Sequence, residues 1–312
     1  MSGQSLRRGI ARGVSWSRQG EAVTTKDREQ LERIRERFTR TAQSFAQFAL
    51  GARGEEAERL ARMAVPGLRD AAGAVALDLA CGPGTFTRAF AARVRLVVGL
   101  DFTPAMLSQA REAVARAGLG NVAFARADAN VLPFGNSALD LAVCAYSFHH
   151  FLDPARTLRE LNRVLGPGGR VALVDIIVPE GADSKLNNRI ERTRDPSHAS
   201  TLTSDEFTAL LEAARFRSIA SETSERRRQF DDWMQIMGLL PGSSGYAETR
   251  RLMETSMPGD TAGFHPRFVS GGGTAAVTAS GAGLSPSEEA ASSAKREIEF
   301  VQTTLFVVAE KR

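Results

Sequence analysis

The stretch Val75-Ala76-Leu77-Asp78-Leu79-Ala80-Cys81-Gly82-Pro83-Gly84-Thr85 constrains the fold more than any other part of this 312-residue chain. It is a short apolar run holding one acid, then a turn with two glycines, then residues 85–92 that can form a helix. The run has the length of a buried strand, so the glycines fall at a strand-to-helix junction. Without Cβ atoms, Gly82 and Gly84 let the backbone turn sharply and let a ligand approach it closely. The spacing therefore predicts a ligand-binding loop.

The same alternation continues downstream. Strands are expected at 75–79, 96–100, 122–125, 139–145 and 171–178, with helices between them at 85–92, 104–117 and 154–164. Pro104 and Pro154 open the second and third of these helices. Strands and helices alternating at this spacing predict an α/β chain with a parallel sheet covered on both faces. Leu165-Gly166-Pro167-Gly168-Gly169 reads as a turn before the fifth strand.

On either side of this block the pattern differs. Leu31, Ile34, Phe38, Phe45 and Phe48 form one apolar stripe of a helix over 26–50, and a second helix is expected over 55–64 before Pro66 and Gly67 break the chain. Beyond Gly181, helices are expected at 182–194, 205–214, 230–237 and 247–257, with one strand at 217–222. Thr203 and Glu206 have the spacing of a capping box. Residues 270–294 are mostly Gly, Ala, Ser and Thr and read as a flexible insertion, after which 298–308 returns as a strong strand. The expected organisation is a basic tail over 1–25 and one domain over 26–312, with cover helices at 26–70 and a lid at 181–269.

Composition limits the partners. Forty Lys plus Arg against thirty-six Asp plus Glu leave a formal charge of +4, too small and too spread to predict a nucleic-acid partner. The tail carries Arg7, Arg8, Arg12 and Arg18 without an acid before Gly20, a composition shared by disordered tails and organellar transit peptides. Cys81 and Cys144 lie in apolar contexts with no metal-type spacing to the four histidines, so no metal site is expected and both thiols read as reduced in a cytoplasmic protein. No apolar run reaches the roughly 18 residues of a membrane span.

Four features recur in order: the glycine loop, Asp101 after the second strand, Asp128 after the third, and a polar cluster after the fourth. In a doubly wound sheet all four lie along one crevice at the carboxyl ends of the strands. The residues that carry them are Leu77-Asp78-Leu79-Ala80-Cys81-Gly82-Pro83-Gly84-Thr85, Val98-Gly99-Leu100-Asp101-Phe102-Thr103-Pro104-Ala105-Met106-Leu107 and Ala127-Asp128-Ala129-Asn130-Val131-Leu132-Pro133-Phe134. Leu139-Asp140-Leu141-Ala142-Val143, Ser147-Phe148-His149-His150-Phe151 and Arg163-Val164-Leu165-Gly166-Pro167-Gly168-Gly169 complete the set. Over roughly 38–216 and the final strand, the chain resembles the class I S-adenosylmethionine (SAM)-dependent methyltransferases, in particular the ubiquinone and menaquinone biosynthesis C-methyltransferases.

The resemblance implies a Rossmann-like sheet of seven strands, six parallel and one antiparallel, with helices on both faces and a helical lid. The strand at 298–308 would insert beside the fifth, with 217–222 as its neighbour. SAM is the implied cofactor. Backbone groups of Ala80, Cys81, Gly82 and Gly84 would approach its methionine moiety, and Asp78 would fix the loop or meet the amino group. Asp101 would accept the ribose hydroxyls, Phe102 and Met106 would flank the adenine, and Asp128 would accept its amine beside the Ala129 amide. Ser147 joins this set. Phe45 stands where the family's cover helix often carries a tyrosine.

Methyl transfer from a sulfonium is an in-line displacement, so the protein mainly holds the acceptor and excludes water. His149 and His150 are the candidate bases, with capping of the next helix or packing under the lid as the alternative role of either. Asn187, Arg194 and His198 are expected on the acceptor side, and the acceptor is expected to be small and apolar or aromatic, quinone-like in character. An NAD-dependent dehydrogenase competes, since it too has an acid about 20 residues beyond a glycine turn. Thr87 breaks its third glycine position, and Asp78 has the wrong charge for a pyrophosphate. A non-catalytic SAM or nucleoside binder is the other alternative.

Overall fold

A computed structural model describes residues 25–269 and 296–312. The basic-tail residues before Thr25 and the expected insertion at 270–294 lie outside the described residues. Three helices come first, α1 (Thr25–Arg40), α2 (Ala42–Ala52) and α3 (Gly54–Ala64). The single helix expected over 26–50 is divided at Thr41, which leaves helical geometry at φ −103° and ψ 9°. Its hydroxyl donates to the Arg37 carbonyl at 3.0 Å, a back-bond that bends helices.

The αβ alternation follows as expected: β1 (Val75–Leu79), α4 (Thr85–Ala91), β2 (Leu96–Asp101), α5 (Pro104–Arg116), β3 (Val122–Arg126), β4 (Leu139–Ala145), α6 (Pro154–Val164) and β5 (Leu165–Val178). Next come α7 (Ser184–Arg194), β6 (Leu202–Thr203), α8 (Ser204–Ala213), β7 (Phe216–Gln229), α9 (Phe230–Gln235), α10 (Ser244–Ser256), β8 (Arg267–Val269) and β9 (Glu297–Lys311). The capping box at Thr203 and Glu206 forms at the start of α8.

The main path of the sheet is β3-β2-β1-β4-β5-β9-β7. Strands β1 to β5 pair in parallel, and β9 runs antiparallel to both β5 and β7. On this path six strands share one direction and β9 opposes them, inserted beside β5 with β7 outside it, as expected. The sheet nonetheless has nine strands rather than seven, because β6 adds to β5 and β8 adds to β9. Two and three residues long, these strands are too short to show alternation in sequence.

Two boundaries also move. Strand β7 has 14 residues rather than the six expected, since its second half, Thr223 to Gln229, is polar and pairs with β9 as far as Gln229 opposite Glu299. A polar strand of this kind suits a sheet edge and carries no hydrophobic signal. The Gly-Pro-Gly-Gly turn is instead absorbed into β5, where the pairing with β4 shifts register between Leu139 and Leu141.

Period-two alternation sorts the core onto the sheet's two faces. Val75, Leu77 and Leu79 of β1 pack with Leu158, Leu161, Phe207 and Leu211 from α6 and α8. Ala76 faces the other way, with Leu60, Phe86, Phe90 and Phe306. A third cluster, around Ile190, Phe230, Trp233, Met253 and Phe300, gives the lid segments a core of their own on the far end of β9.

Candidate active site

The strand order reverses between β1 and β4, and the loops leaving their carboxyl ends open a crevice there. A cleft of about 1090 Å³ lies in it, walled by Ala80–Pro83 after β1, Asp101–Thr103 after β2, Ala127–Asn130 after β3 and Ala145–Ser147 after β4. Gln30, Leu31, Ile34 and Phe38 of α1 and Phe45 of α2 cover it. The turn takes left-handed backbone at Ala80 (φ 54°), Gly82 (52°) and Gly84 (86°), and Tyr146 after β4 does the same at 53°. A left-handed residue with a side chain costs about 1–2 kcal/mol, so two such residues beside one cleft mark a backbone held for ligand contact. A Cβ on Gly82 would meet only Phe45, at 4.0 Å, so that face of the loop is open.

The acids take different parts. Asp78 shares its face of β1 with Ala76, so it points toward α4 and not into the cleft. Its Oδ2 accepts the Thr87 hydroxyl at 2.5 Å, and burial pushes its carboxyl up to about 7. Asp78 thus ties the loop to the helix behind it. Asp101 faces the cleft: Oδ2 accepts the Gly82 amide at 2.9 Å and Oδ1 accepts the Thr103 amide at 2.8 Å. The Thr103 hydroxyl and the Phe102 amide also interact with this carboxylate, whose oxygens can each accept more than one donor, a ligand hydroxyl included. Burial also raises the Asp101 carboxyl, against the pull of those backbone donors. Asp128 accepts the Asn130 amide at 2.9 Å, which fixes the loop at the cleft's third corner.

A second cavity of about 500 Å³ adjoins the first. The two share Phe38, Phe45, Arg53, Tyr146 and His150 as a common wall. His149, Ile176, Arg194, Arg228 and Trp233 line only the second. The segment Phe148–His150 is a single 3₁₀ turn. It sets the rings of His149 and His150 4.2 Å apart, tilted by 44°, with the His198 ring stacked on His149 at 5.5 Å.

The three histidines differ in their bonds. His149 Nδ1 lies 2.6 Å from Asp175 Oδ1. Burial alone would raise Asp175, but the His149 ring and nearby amides outweigh it and hold the carboxyl below its usual range. His150 Nδ1 lies 2.9 Å from the Ser197 carbonyl, which only accepts, so a neutral His150 carries its lone pair on Nε2. Burial, helped by His149, lowers His150 to about 3 and keeps it neutral. His198 Nε2 donates to Asn188 Oδ1 at 2.9 Å, deep in the lid.

The methyltransferase domain family matches residues 77–173. The uncharacterized methyltransferase YcgJ of Bacillus subtilis (strain 168) is 33% identical over 165 residues, covering 52% of this chain. The chain spans 64% of that relative's length. The ubiquinone/menaquinone biosynthesis C-methyltransferase UbiE of Teredinibacter turnerae is 30% identical over 178 residues, which are 56% of this chain and 67% of that protein. This chain belongs to the class I SAM-dependent methyltransferases. The solved structure of the YcgJ protein shares the fold, with a TM-score of 0.66 over 81% of this methyltransferase and 98% of that chain at 24% identity.

The expected site residues of this methyltransferase divide among three places. Ala80, Cys81, Gly82, Asp101, Phe102, Met106, Asp128, Ala129 and Ser147 line the first cleft, with Phe45 and His150 on the wall it shares with the second cavity. His149 and Arg194 line the second cavity alone. Asp78, Gly84, Asn187 and His198 line neither. Asn187 is buried and donates to the Ala262 carbonyl at 2.9 Å.

The donor set fits SAM, with an acid at each of two corners and an open glycine face between them. Asp78 lies behind the loop, however, bonded to Thr87 and outside the lining of the cleft. Sequence reading did not find Thr87 as the partner of Asp78, nor Gln30, Arg37, Arg53, Tyr146, Asp175 or Arg228. Asp175 had a signal: a lone acid inside the apolar strand 171–178.

Proposed function

We propose that this methyltransferase transfers a methyl group from SAM to a small acceptor with an apolar or aromatic, quinone-like body. The observation that carries the reading is the wall shared by the two cavities. A donor held by Asp101 and the glycine loop would meet an acceptor packed on Phe38, Phe45 and Trp233 across it. SAM supplies an electrophilic methyl on a cationic sulfonium with a good leaving group.

The chain's own residues then have three tasks. Asp101, Asp128 and the loop fix the donor, and α1 and α2 exclude water from above. His149 is the base for an acidic oxygen or carbon, because Asp175 takes its Nδ1–H and leaves Nε2 to accept a proton. His150, neutral on the shared wall, orients the acceptor with its Nε2 lone pair. The test is incubation of the full chain with methyl-labelled SAM and fractionated cell extract, followed by mass analysis. Label in a small apolar or aromatic molecule supports the reading. SAM binding without labelled product favours a non-catalytic binder, and NADH binding without SAM binding favours a dehydrogenase.

A further inference from the structure

The second cavity is far more basic than an apolar acceptor requires. Arg37, Arg53, Arg194 and Arg228 all line it, with Asp195 as its one acidic lining residue. Most arginines on this side of the molecule have a carboxylate of their own. Arg37 pairs with Asp195 at 2.9 Å, Arg194 with Glu191 at 3.2 Å, Arg226 with Glu56 at 3.6 Å and Arg59 with Glu222 at 2.6 Å.

Of the four arginines that line the cavity, Arg53 and Arg228 are the two without a carboxylate partner among the described residues. Nε and Nη1 of Arg53 and Nε of Arg228 are buried without a hydrogen-bond partner. Both guanidinium carbons lie 5.6 Å from the Phe48 ring centroid, and Arg53 also sits 3.2 Å over the Tyr146 ring. Aromatic faces ease the cost of burying these cations but offer no acceptor for their N–H groups. Burial and the neighbouring arginines lower Arg228 to about 10, which still leaves it charged at neutral pH. Two like charges held beside one ring, on side chains that line one cavity and have no carboxylate of their own, form a preorganised anion site.

We propose that the methyl acceptor carries an anionic group, a carboxylate or a phosphate, received by Arg228 and Arg53 in the second cavity while its apolar body packs on Phe38, Phe45 and Trp233. This rests on the reading of the first cleft as the SAM site. Arg53 stands on the shared wall and touches both cavities, whereas Arg228 lines the acceptor cavity alone, so Arg228 is the residue that separates acceptor recognition from donor binding. An apolar body with an anionic end also has a fixed orientation: the charge goes toward Arg228, off the shared wall, and the reacting atom toward His150 on that wall.

The test is calorimetric titration of the full chain saturated with S-adenosylhomocysteine, using 1-naphthoate, 1-naphthyl phosphate and the neutral 1-naphthalenemethanol as probes. Both anions, or one of them, should bind about tenfold or more tighter than the alcohol. The stronger of the two identifies the carboxylate or the phosphate. Arg228→Met should abolish that preference without changing the affinity for the alcohol or for S-adenosylhomocysteine, and Arg228→Lys should restore part of it. Equal binding of all three probes, no binding of any, or a uniform loss in Arg228→Met overturns the proposal. Failure of the SAM reading is seen separately, as absent S-adenosylhomocysteine binding in the first titration. The probes are then titrated without it, and the preference for anions is read on its own.

Discussion

His149 Nδ1 sits 2.6 Å from Asp175 Oδ1, while the Asp175 Oδ2 accepts the His149 backbone amide at 3.3 Å. One buried carboxylate thus fixes both the ring and the chain that carries it. Replacing Asp175 by Asn should cost about 10²-fold or more in labelled-product formation, because the ring loses its tautomer and its charge partner. SAM affinity should be unchanged. Equal turnover in Asp175→Asn removes His149 from the mechanism.

The link between Asp78 and Thr87 makes a statement about pH. Asp78 titrates near 3.8 in the open chain and is pushed up to about 7 by burial. The folded protein therefore holds its proton where the unfolded chain has lost it, and the stability present below about pH 4 falls as pH rises through about 7. Urea unfolding of the wild type and Asp78→Asn from pH 4 to 8 checks this. The wild type should lose on the order of 3 kcal/mol relative to the variant, and a constant difference contradicts it.

Gly84 precedes α4 at φ 86°, and a Cβ there would meet Ala110 Cβ at 3.3 Å. Gly84→Ala combines left-handed strain with a contact against α5, for an expected loss of about 1–3 kcal/mol. Gly82→Ala has the strain without a close backbone contact, so thermal unfolding should show the smaller drop, with SAM affinity falling in both.

Gln30 latches the cover helix to the site. Its amide donates to the His150 carbonyl at 3.1 Å and to the Ser197 carbonyl at 2.6 Å. Nearby, Arg37 holds Asp195 at 2.9 Å, and that charge keeps the Asp195 carboxyl well below its usual range against the pull of burial. Gln30→Ala should raise hydrogen exchange in α1 and speed SAM release several-fold. Unchanged exchange in α1 argues that other contacts hold the cover.

Much of this was legible in the sequence because the sheet's centre is simple physics. Val75, Leu77 and Leu79 alternate around Asp78, and Pro104 and Pro154 mark helix starts, so the alternation of strands and helices follows from spacing, while the strand order was implied by the family resemblance. The rest depended on contacts between distant segments. Nothing around Gln30 announces that it meets Ser197, and the polar half of β7 carries no apolar period, so Arg228 could not be placed in a cavity before the strand was seen paired with β9. Thr87 was visible only as a mismatch to a dinucleotide fingerprint. Its use, as the partner of Asp78, needed the face of β1 to be known.

The central claim, that Asp101 and the glycine loop hold SAM, is tested most directly by calorimetric titration of SAM into the wild type and Asp101→Ala. The carboxylate's hydrogen bonds to a diol contribute about 1.5–3 kcal/mol. Saturable binding to the wild type, with affinity lower by about tenfold or more in a variant of unchanged circular dichroism, is the predicted result. Equal SAM affinity in both proteins, or NADH binding in place of SAM, contradicts it.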